Sequence, residues 1–184
     1  GVITYNNELY NEALPSLHKL VADVGETAHL ALLDRESVTY LLKVECNHPV
    51  RILTHIGRNN PLHATSSGKI FMAFHSKELV EKAIKKGLRK YASNTITNPD
   101  DLKSHIEMVR KLGYAFTVNE YEEGVVSVSA PVYNHLGQVN AAVNVVGPIQ
   151  RMEVSRIPYY AKKLINIANE ISEKIGYTAQ NKNV

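Results

Sequence analysis

The sequence predicts an α+β domain built around a largely antiparallel central sheet. Two groups of segments rich in apolar and β-branched residues run consecutively, and short polar turns join them as in hairpins. Apolar stripes with helical spacing lie at both ends of the chain and between the two groups. The length of 184 residues suits a single domain with a sizeable core. We therefore expect the order helix, three strands, helices, three strands, helix within one domain over residues 1–184.

The first helix is expected over residues 7–24. Its apolar stripe consists of Tyr10, Leu14, Leu17, Val21 and Val24. Gly25 follows as a natural C-terminal stop. Pro15 lies within this segment, so the helix is predicted to bend or restart there.

Three strands are expected next. Residues 27–34 and 38–44 are rich in apolar and β-branched side chains, and the polar turn Asp34-Arg35-Glu36-Ser37 joins them. Residues 50–56 are the third candidate, entered through Pro49 and left through Gly57. This spacing predicts a hairpin followed by a further strand.

A turn-forming segment, residues 59–64, then leads into Thr65-Ser66-Ser67-Gly68-Lys69 and an apolar run. Thr65, Ser66 and Ser67 are good N-cap residue types, so a helix is expected to begin among them. The first N–H groups of a helix have no partner within it and lie at the positive end of its dipole, which favours a bound anion. The alternative is a hydroxyl that caps its own helix without any ligand.

The rest of the chain repeats this pattern. Helical segments are expected over residues 70–74 and 79–84, from Pro99 to Gly113, and after Pro148 to Gly176. Strands are expected over residues 114–118, 125–133 and 139–146, and the polar residues 177–184 as a frayed tail. The two terminal helices both carry apolar stripes and could pack side by side on one face of the sheet.

The composition excludes several classes of protein. A nucleic-acid-binding surface is not indicated, because the net charge is only +3. We interpret the one dense basic cluster as a solvated helix face; it consists of Lys82, Lys85, Lys86, Arg89 and Lys90. The single cysteine, Cys46, excludes an internal disulfide and suits the cytoplasm. The sequence contains no membrane-spanning run and no signal peptide. Because it lacks an initiator Met, we expect a processed chain or a fragment.

The hairpin over residues 125–146 has two different faces. With a four-residue turn at 134–137, Ser127 is predicted to lie opposite Asn144. One face is small and polar and the other is apolar. The polar face carries Ser127, Ser129, Asn140, Ala142 and Asn144. It either meets water or forms the floor of a pocket for a polar small molecule.

Motifs of nucleotide binding do not fit this chain. A phosphate-binding loop needs a Gly five positions before Gly68 and a Ser or Thr after Lys69, but His63 and Ile70 occupy these positions. The sequence also lacks a Gly-x-Ser-x-Gly elbow and a His-Glu-x-x-His helix. No enzymatic activity and no cofactor are therefore expected.

Two remaining clusters are also weak candidates. Cys46 and His48 could share a strand face, but zinc sites usually carry more ligands at tighter spacing, so no metal is expected. Glu120, Glu122 and Glu123 precede a glycine, which is more typical of a solvated loop than of an acid–base pair.

Five sequence blocks follow one another in an order that resembles a known family. They are Gly25-Glu26-Thr27-Ala28-His29-Leu30; Ile56-Gly57-Arg58 with Pro61-Leu62-His63-Ala64 and Gly68-Lys69; Gly113-Tyr114-Ala115-Phe116; Asn119-Glu120-Tyr121-Glu122-Glu123-Gly124; and Ala130-Pro131-Val132-Tyr133 with Val146-Gly147-Pro148. In this order they resemble the effector-binding domain of IclR-family bacterial transcriptional regulators over almost the whole chain. The resemblance implies a GAF-like fold that senses a small metabolite.

The resemblance also implies a ligand site and partners. The ligand-binding positions would be Ser66, Ser67, Thr117, Ser127, Asn144 and Val146. The effector would be a small carboxylate or a sugar acid, although the family often has acidic residues at the positions of Thr117 and Val118 and a hydroxyl residue at Val146. A winged helix-turn-helix domain that binds operator DNA precedes this domain in full-length members and is absent here. A cytoplasmic homodimer or homotetramer is implied.

Two other functions remain open at this point. A GAF-like enzyme such as a methionine sulfoxide reductase would typically use several cysteines, whereas this chain has one. A pure oligomerisation module would use the apolar stripes of the terminal helices and have no ligand.

Overall fold

The protein, described here over residues 1–178 of a computed structural model, has five α-helices and five strands in this range. The helices and strands are α1 (Val2–Val24), β1 (Thr27–Asp34), β2 (Ser37–Val44), α2 (Ser66–Phe74), α3 (Glu78–Lys86), α4 (Pro99–Leu112), β3 (Ala115–Val118), β4 (Val125–Tyr133), β5 (Val139–Pro148) and α5 (Ile157–Lys174), with a short 3₁₀ turn, Val154–Arg156, before α5. No helix in this range is long and apolar enough to span a membrane.

The strands form one sheet in the order β2-β1-β5-β4-β3. Every neighbouring pair is antiparallel, which confirms the predicted fold class. The central strand β5 joins the two predicted groups of strands because it pairs with both β1 and β4.

The helices cover both faces of this sheet. The helices α1 and α5 lie side by side on one face, as expected, and bury the apolar face of the β4–β5 hairpin. On the other face α2, α3 and α4 enclose a second apolar core around Phe71, Met72 and Ile106. Ser127, Ser129, Ala142 and Asn144 of the hairpin's polar face therefore lie on the α2 side of the sheet. Asn140, predicted on the same face, instead accepts a hydrogen bond from Tyr5 of α1 at 3.2 Å, because it is the extra residue of a bulge in β5.

Two expectations about the ends of the chain differ from the structure. The helix α1 begins at Val2 and continues through Pro15 without a break, because the buried Leu9, Ala13 and Leu17 hold this face of the helix against the core. At the other end, Tyr177 stacks on Tyr133 with ring centroids 4.9 Å apart, although it was expected in the frayed tail. Residues 179–184 of that tail lie outside the described residues.

The third predicted strand, over residues 50–56, is wrong. This segment belongs to an extended connection, residues 45–60, that we call the strap. It pairs with β2 through an isolated bridge between Val38 and Asn60 and a hydrogen bond from the Gly57 N–H to the Tyr40 carbonyl at 3.3 Å. Three of its apolar residues are exposed, with Val50 at 76%, Leu53 at 71% and Ile56 at 52%, while Ile52 is half-buried. An apolar, β-branched composition fits an extended segment of either kind, so local pattern cannot tell a strand from a strap.

The first turn of α2 makes a close contact that only glycine allows. Thr65 caps the helix by accepting the Gly68 N–H at 3.1 Å, while its own hydroxyl donates to the Pro61 carbonyl at 2.7 Å. A Cβ on Gly68 would lie 2.2 Å from the Leu62 carbonyl oxygen. The loop before α2 therefore folds back onto its first turn.

A buried ion pair holds the same turn from the other side. Lys69 is fully buried, and its Nζ donates to Glu120 Oε1 at 2.6 Å and to the Phe116 carbonyl at 2.9 Å. Burial lowers the pKa of the Lys69 ammonium, and the nearby Glu120 carboxylate opposes this shift. Glu120 is thus a structural partner of α2, which corrects its interpretation as part of a solvated loop.

We expect Gly68→Ala to destabilise the protein, although alanine normally favours a helix interior over glycine by about 1 kcal/mol. The clash with Leu62 should lower the free energy of unfolding by about 2 kcal/mol or more in a urea titration. Ser104→Ala, at an exposed position of α4, is the control and should not destabilise. A Gly68→Ala variant as stable as the wild type would contradict the close approach.

We expect Glu120→Gln to lower the free energy of unfolding by about 3 kcal/mol, because Lys69 would keep its charge in a buried site without a counterion. The double variant Lys69→Met/Glu120→Gln should recover most of this loss, since the buried charge is gone. Chemical denaturation of both variants at neutral pH tests the pair. Equal stability of the wild type and Glu120→Gln would show that the pair contributes nothing.

Candidate functional site

A cavity of about 350 Å³ lies between the start of α2, the polar face of the sheet and the strap. The strap contributes Leu53, Thr54 and Arg58, and the turn after β3 contributes Tyr121 and Glu122. The remaining walls come from β2, the loop before α2, and the strands β3, β4 and β5. The cavity therefore combines apolar, polar and charged walls, as small-molecule sites do.

Five of the six predicted site residues line this cavity. They are Ser66, Thr117, Ser127, Asn144 and Val146. Ser67, the sixth, lies beneath the cavity, where its hydroxyl contacts Ser129 Oγ and accepts from Asn144 Nδ2, each at 3.0 Å.

The predicted pairing of the β4–β5 hairpin is wrong by two residues. Ser127 lies opposite Val146, and Asn144 lies opposite Ser129. A bulge at Val132 and Tyr133 shifts the pairing of the two strands by one residue, and the turn shifts it by another. Because the total shift is even, Ser127 and Asn144 still share the polar face.

The start of α2 presents two unpaired donors beside the cavity. The backbone N–H groups of Ser66 and Ser67 have no acceptor among residues 1–178, while that of Gly68 is satisfied by Thr65. Helix dipole and unpaired N–H groups together favour an anion at this point. The side chain of Lys69, in contrast, points away from the cavity into its pair with Glu120.

Two hydroxyls face each other on the opposite wall. Thr117 and Ser127 are register partners on β3 and β4, and their oxygens lie 2.6 Å apart. One hydroxyl proton serves this mutual bond, so the pair retains a second proton and free lone pairs. This wall can both donate to and accept from a bound molecule.

A buried hydrogen-bonded chain runs beneath the cavity. His29 Nε2 lies 2.5 Å from Thr54 Oγ1, and His29 Nδ1 lies 2.9 Å from Asn144 Oδ1. Asn144 continues to Ser67, and Ser67 to Ser129, which donates to the Val143 carbonyl at 3.0 Å. The chain therefore joins the strap, the sheet and α2.

His29, beneath the cavity, and Tyr40, in its wall, are both uncharged at neutral pH. Burial lowers the pKa of His29 to about 4 and raises that of Tyr40 to about 12. The two rings stack with centroids 4.2 Å apart. Arg58 and Glu122 also line the cavity; both are exposed and form no ion pair with another described residue.

Polar contacts hold the strap over the cavity. Lys43 Nζ donates to the Thr54 carbonyl at 2.9 Å, and Arg151 Nη1 donates to the Val50 carbonyl at 2.7 Å. Arg151 is itself fixed by a bidentate contact with the buried Glu26. The strap is therefore attached to the sheet mainly by hydrogen bonds.

Sequence reasoning missed His29, Tyr40 and Thr54. His29 had a usable signal, because it is the one polar residue in the run Ala28-His29-Leu30-Ala31-Leu32-Leu33. Tyr40 and Thr54 had none, since their positions depend on the path of the strap. No group of three or more His, Cys, Asp or Glu side chains within residues 1–178 is arranged to hold a metal.

We expect His29 to make the protein less stable in acid. Its pKa is about 4 when folded and near 6.5 when unfolded, so between these pH values the unfolded state binds the extra proton. Stability falls as pH falls through this window, by about 3 kcal/mol at most for a shift of this size. The free energies of unfolding of the wild type and His29→Asn, measured by denaturant titration, should therefore converge as the pH falls towards 4.

The matched control for this pH dependence is His18→Asn, at an exposed histidine of α1. It should follow the wild-type curve. His105, whose pKa burial also lowers to about 4, contributes with the same sign in all three proteins. A His29→Asn curve parallel to that of the wild type would contradict a neutral, buried His29.

Comparisons with known proteins agree with the fold. The family described as bacterial transcriptional regulator IclR, C-terminal, matches residues 3–173. Among relatives, the HTH-type transcriptional regulator KipR of Bacillus subtilis is 34% identical over 167 residues, which cover 90% of this chain and 67% of KipR. The chain spans between 57% and 67% of the length of the curated relatives that it matches first.

Solved structures match over the same region. The Thermotoga maritima IclR structure has a TM-score of 0.86 at 34% identity, covering 92% of this chain and 69% of that one. An IclR homologue from Microbacterium hydrocarbonoxydans, complexed with 4-hydroxybenzoate, has a TM-score of 0.84 at 25% identity, covering 92% of this chain and 69% of its own. The chain belongs to the IclR family of bacterial transcriptional regulators and corresponds to their C-terminal, effector-binding domain.

Proposed function

We propose that this domain binds a small carboxylate or sugar acid in the cavity and thereby controls the binding of a regulator to operator DNA. The observation that carries the proposal is the pair of unpaired N–H groups, on Ser66 and Ser67, at the positive end of α2. A carboxylate there would accept both hydrogen bonds and interact favourably with the helix dipole.

The opposite wall suits the rest of such a molecule. The Thr117–Ser127 hydroxyl pair can meet a hydroxyl or carbonyl group of the effector, and Val146 offers an apolar contact. A cavity of about 350 Å³ is at the small end of ligand sites, which matches a small metabolite. The relative complexed with 4-hydroxybenzoate also carries a carboxylate and a hydroxyl on its ligand.

An enzyme is the weaker alternative. The matched relatives bear the names of transcriptional regulators, and Cys46 does not line the cavity. A pure oligomerisation module is also weaker, because the stripes of α1 and α5 are largely used against the sheet. The exposed Val2, Ile3 and Tyr10 of α1 leave room for a homodimer or homotetramer in addition to the ligand.

A panel of acids and their neutral amides tests the proposed ligand class. Acetate, glycolate, D-gluconate and 4-hydroxybenzoate vary the group attached to a carboxylate, and each amide keeps the shape but removes the charge. We expect calorimetry to show saturable binding of at least one acid and much weaker binding of its amide, because the N–H groups and the helix dipole at α2 favour an anion over a neutral carbonyl. If amides bind as well as acids, the carboxylate is assigned wrongly, and a cavity that binds none of the acids favours an oligomerisation module.

Ser127→Leu tests the location of the site. Leucine would project into the cavity and remove the partner of Thr117, so the affinity for the binding acid should fall at least about tenfold. Ser104→Leu, which places the same side chain on the exposed surface of α4, should bind like the wild type. Equal affinity in both variants would place the site elsewhere.

A further inference from the structure

We propose that His29 is a positioning residue that orients the side-chain amide of Asn144, so that the cavity selects effectors with a hydrogen-bond acceptor at this point. His29 does not line the cavity and is fully buried. It can therefore act on a ligand only through a neighbour. The inference rests on the proposed function for its effect on binding, but its effect on Asn144 does not.

The order of donors and acceptors along the buried hydrogen-bonded chain is fixed at its end, the Val143 carbonyl. The Val143 carbonyl can only accept a hydrogen bond, so the hydroxyl proton of Ser129 is committed to it. Ser129 must then accept from Ser67, because each hydroxyl has one proton. Ser67 in turn must accept from Asn144, which has to present its Nδ2 and not its Oδ1.

The same order of donors and acceptors determines which nitrogen of His29 carries the proton. With Nδ2 on Ser67, the amide oxygen of Asn144 faces His29 Nδ1, which must carry a proton. Since burial keeps His29 neutral at pH 7, its Nε2 is an acceptor. The hydroxyl of Thr54 on the strap must donate to it. One tautomer of His29 therefore satisfies the whole chain.

Water cannot replace a member of this chain. His29, Ser67, Ser129 and Asn144 are each at most 2% exposed. A buried polar group that loses its partner stays unsatisfied, which costs more than an exposed hydrogen bond is worth. Without His29 Nδ1–H, the Asn144 oxygen would lose its donor, and of these hydrogen bonds only the one to Ser67 would still orient the amide.

The cavity wall at Asn144 offers hydrogen-bond donors to a ligand. Asn144 lines the cavity with its oxygen occupied by His29 and one N–H occupied by Ser67, and its second N–H interacts with the Tyr40 hydroxyl oxygen. Tyr40 also lines the cavity, and because burial raises its pKa to about 12, its hydroxyl keeps a proton to donate to a ligand. Together with the N–H groups of α2, this wall favours a carboxylate or carbonyl oxygen and disfavours an ammonium group.

The first experiment needs no ligand. Long-range ¹H–¹⁵N spectra of ¹⁵N-histidine-labelled protein at neutral pH, assigned by the signal that disappears in His29→Asn, report the tautomer. We expect a neutral ring protonated at Nδ1. A ring protonated at Nε2, or at both nitrogens, would overturn the assigned direction of the chain.

The second experiment separates positioning from packing. His29→Phe keeps a ring to stack on Tyr40 but removes both nitrogens, whereas His29→Asn is smaller but can place an N–H where Nδ1–H was. We expect the side-chain amide signals of Asn144 to shift in His29→Phe and to stay near their wild-type positions in His29→Asn. A larger change in His29→Asn than in His29→Phe would show that His29 acts only by filling space.

Binding is then measured with glycolate, by calorimetry, on variants whose melting curves remain cooperative. We expect His29→Phe to lose about tenfold or more in affinity and His29→Asn to stay within about threefold of the wild type. Equal affinity in all three proteins would overturn the role in selection. If the wild type binds neither glycolate nor any other acid of the panel while the tautomer and amide signals behave as expected, the effector class fails and the positioning of Asn144 by His29 stands.

Discussion

The cavity depends on the close approach of the Leu62 backbone to Gly68. Because Gly68 has no Cβ, the loop before α2 folds back on the helix, and the first turn of α2 reaches the polar face of the sheet. The next residue, Lys69, is then carried into the interior, where Glu120 neutralises it. The free N–H groups of Ser66 and Ser67 are thus held in place from two sides, by a steric fit and by an ion pair.

A layer of polar side chains separates α2 from the sheet in an otherwise apolar interior. Ser67, Ser129, Asn144 and His29 are buried, and every one has a hydrogen-bond partner. Such a network adds little net stability over an apolar core, but it fixes one arrangement, because any other leaves a buried group unsatisfied. This explains why small and polar residues occupy the interior face of a β4–β5 hairpin whose opposite face is valine-rich.

The sequence predicted those features that a local pattern encodes. Alternation along β4 and β5 identified the polar face, and the hydroxyl residues identified the start of α2. It failed where position depends on distant parts of the chain: the bulge at Val132 and Tyr133 changed the partner of Ser127, and the path of the strap set the position of Thr54. The burial of Glu120 was missed for the same reason, since only Lys69, 51 positions away in sequence, makes it structural.

The way the strap is attached determines how a ligand can reach the cavity. Val50, Leu53 and Ile56 are already exposed and Ile52 is half-buried, so lifting residues 50–56 uncovers little of their apolar surface. What it breaks are polar contacts: from Lys43 to the Thr54 carbonyl, from Arg151 to the Val50 carbonyl and from Thr54 to His29. Backbone hydrogen bonds to β2 hold the strap's end at Gly57 and Asn60. Segments held by few buried apolar contacts open more readily than a packed core. The hydrogen bond that opening removes, Thr54 to His29, also ends the chain that orients Asn144, so access to the cavity and the polarity of its floor are physically linked.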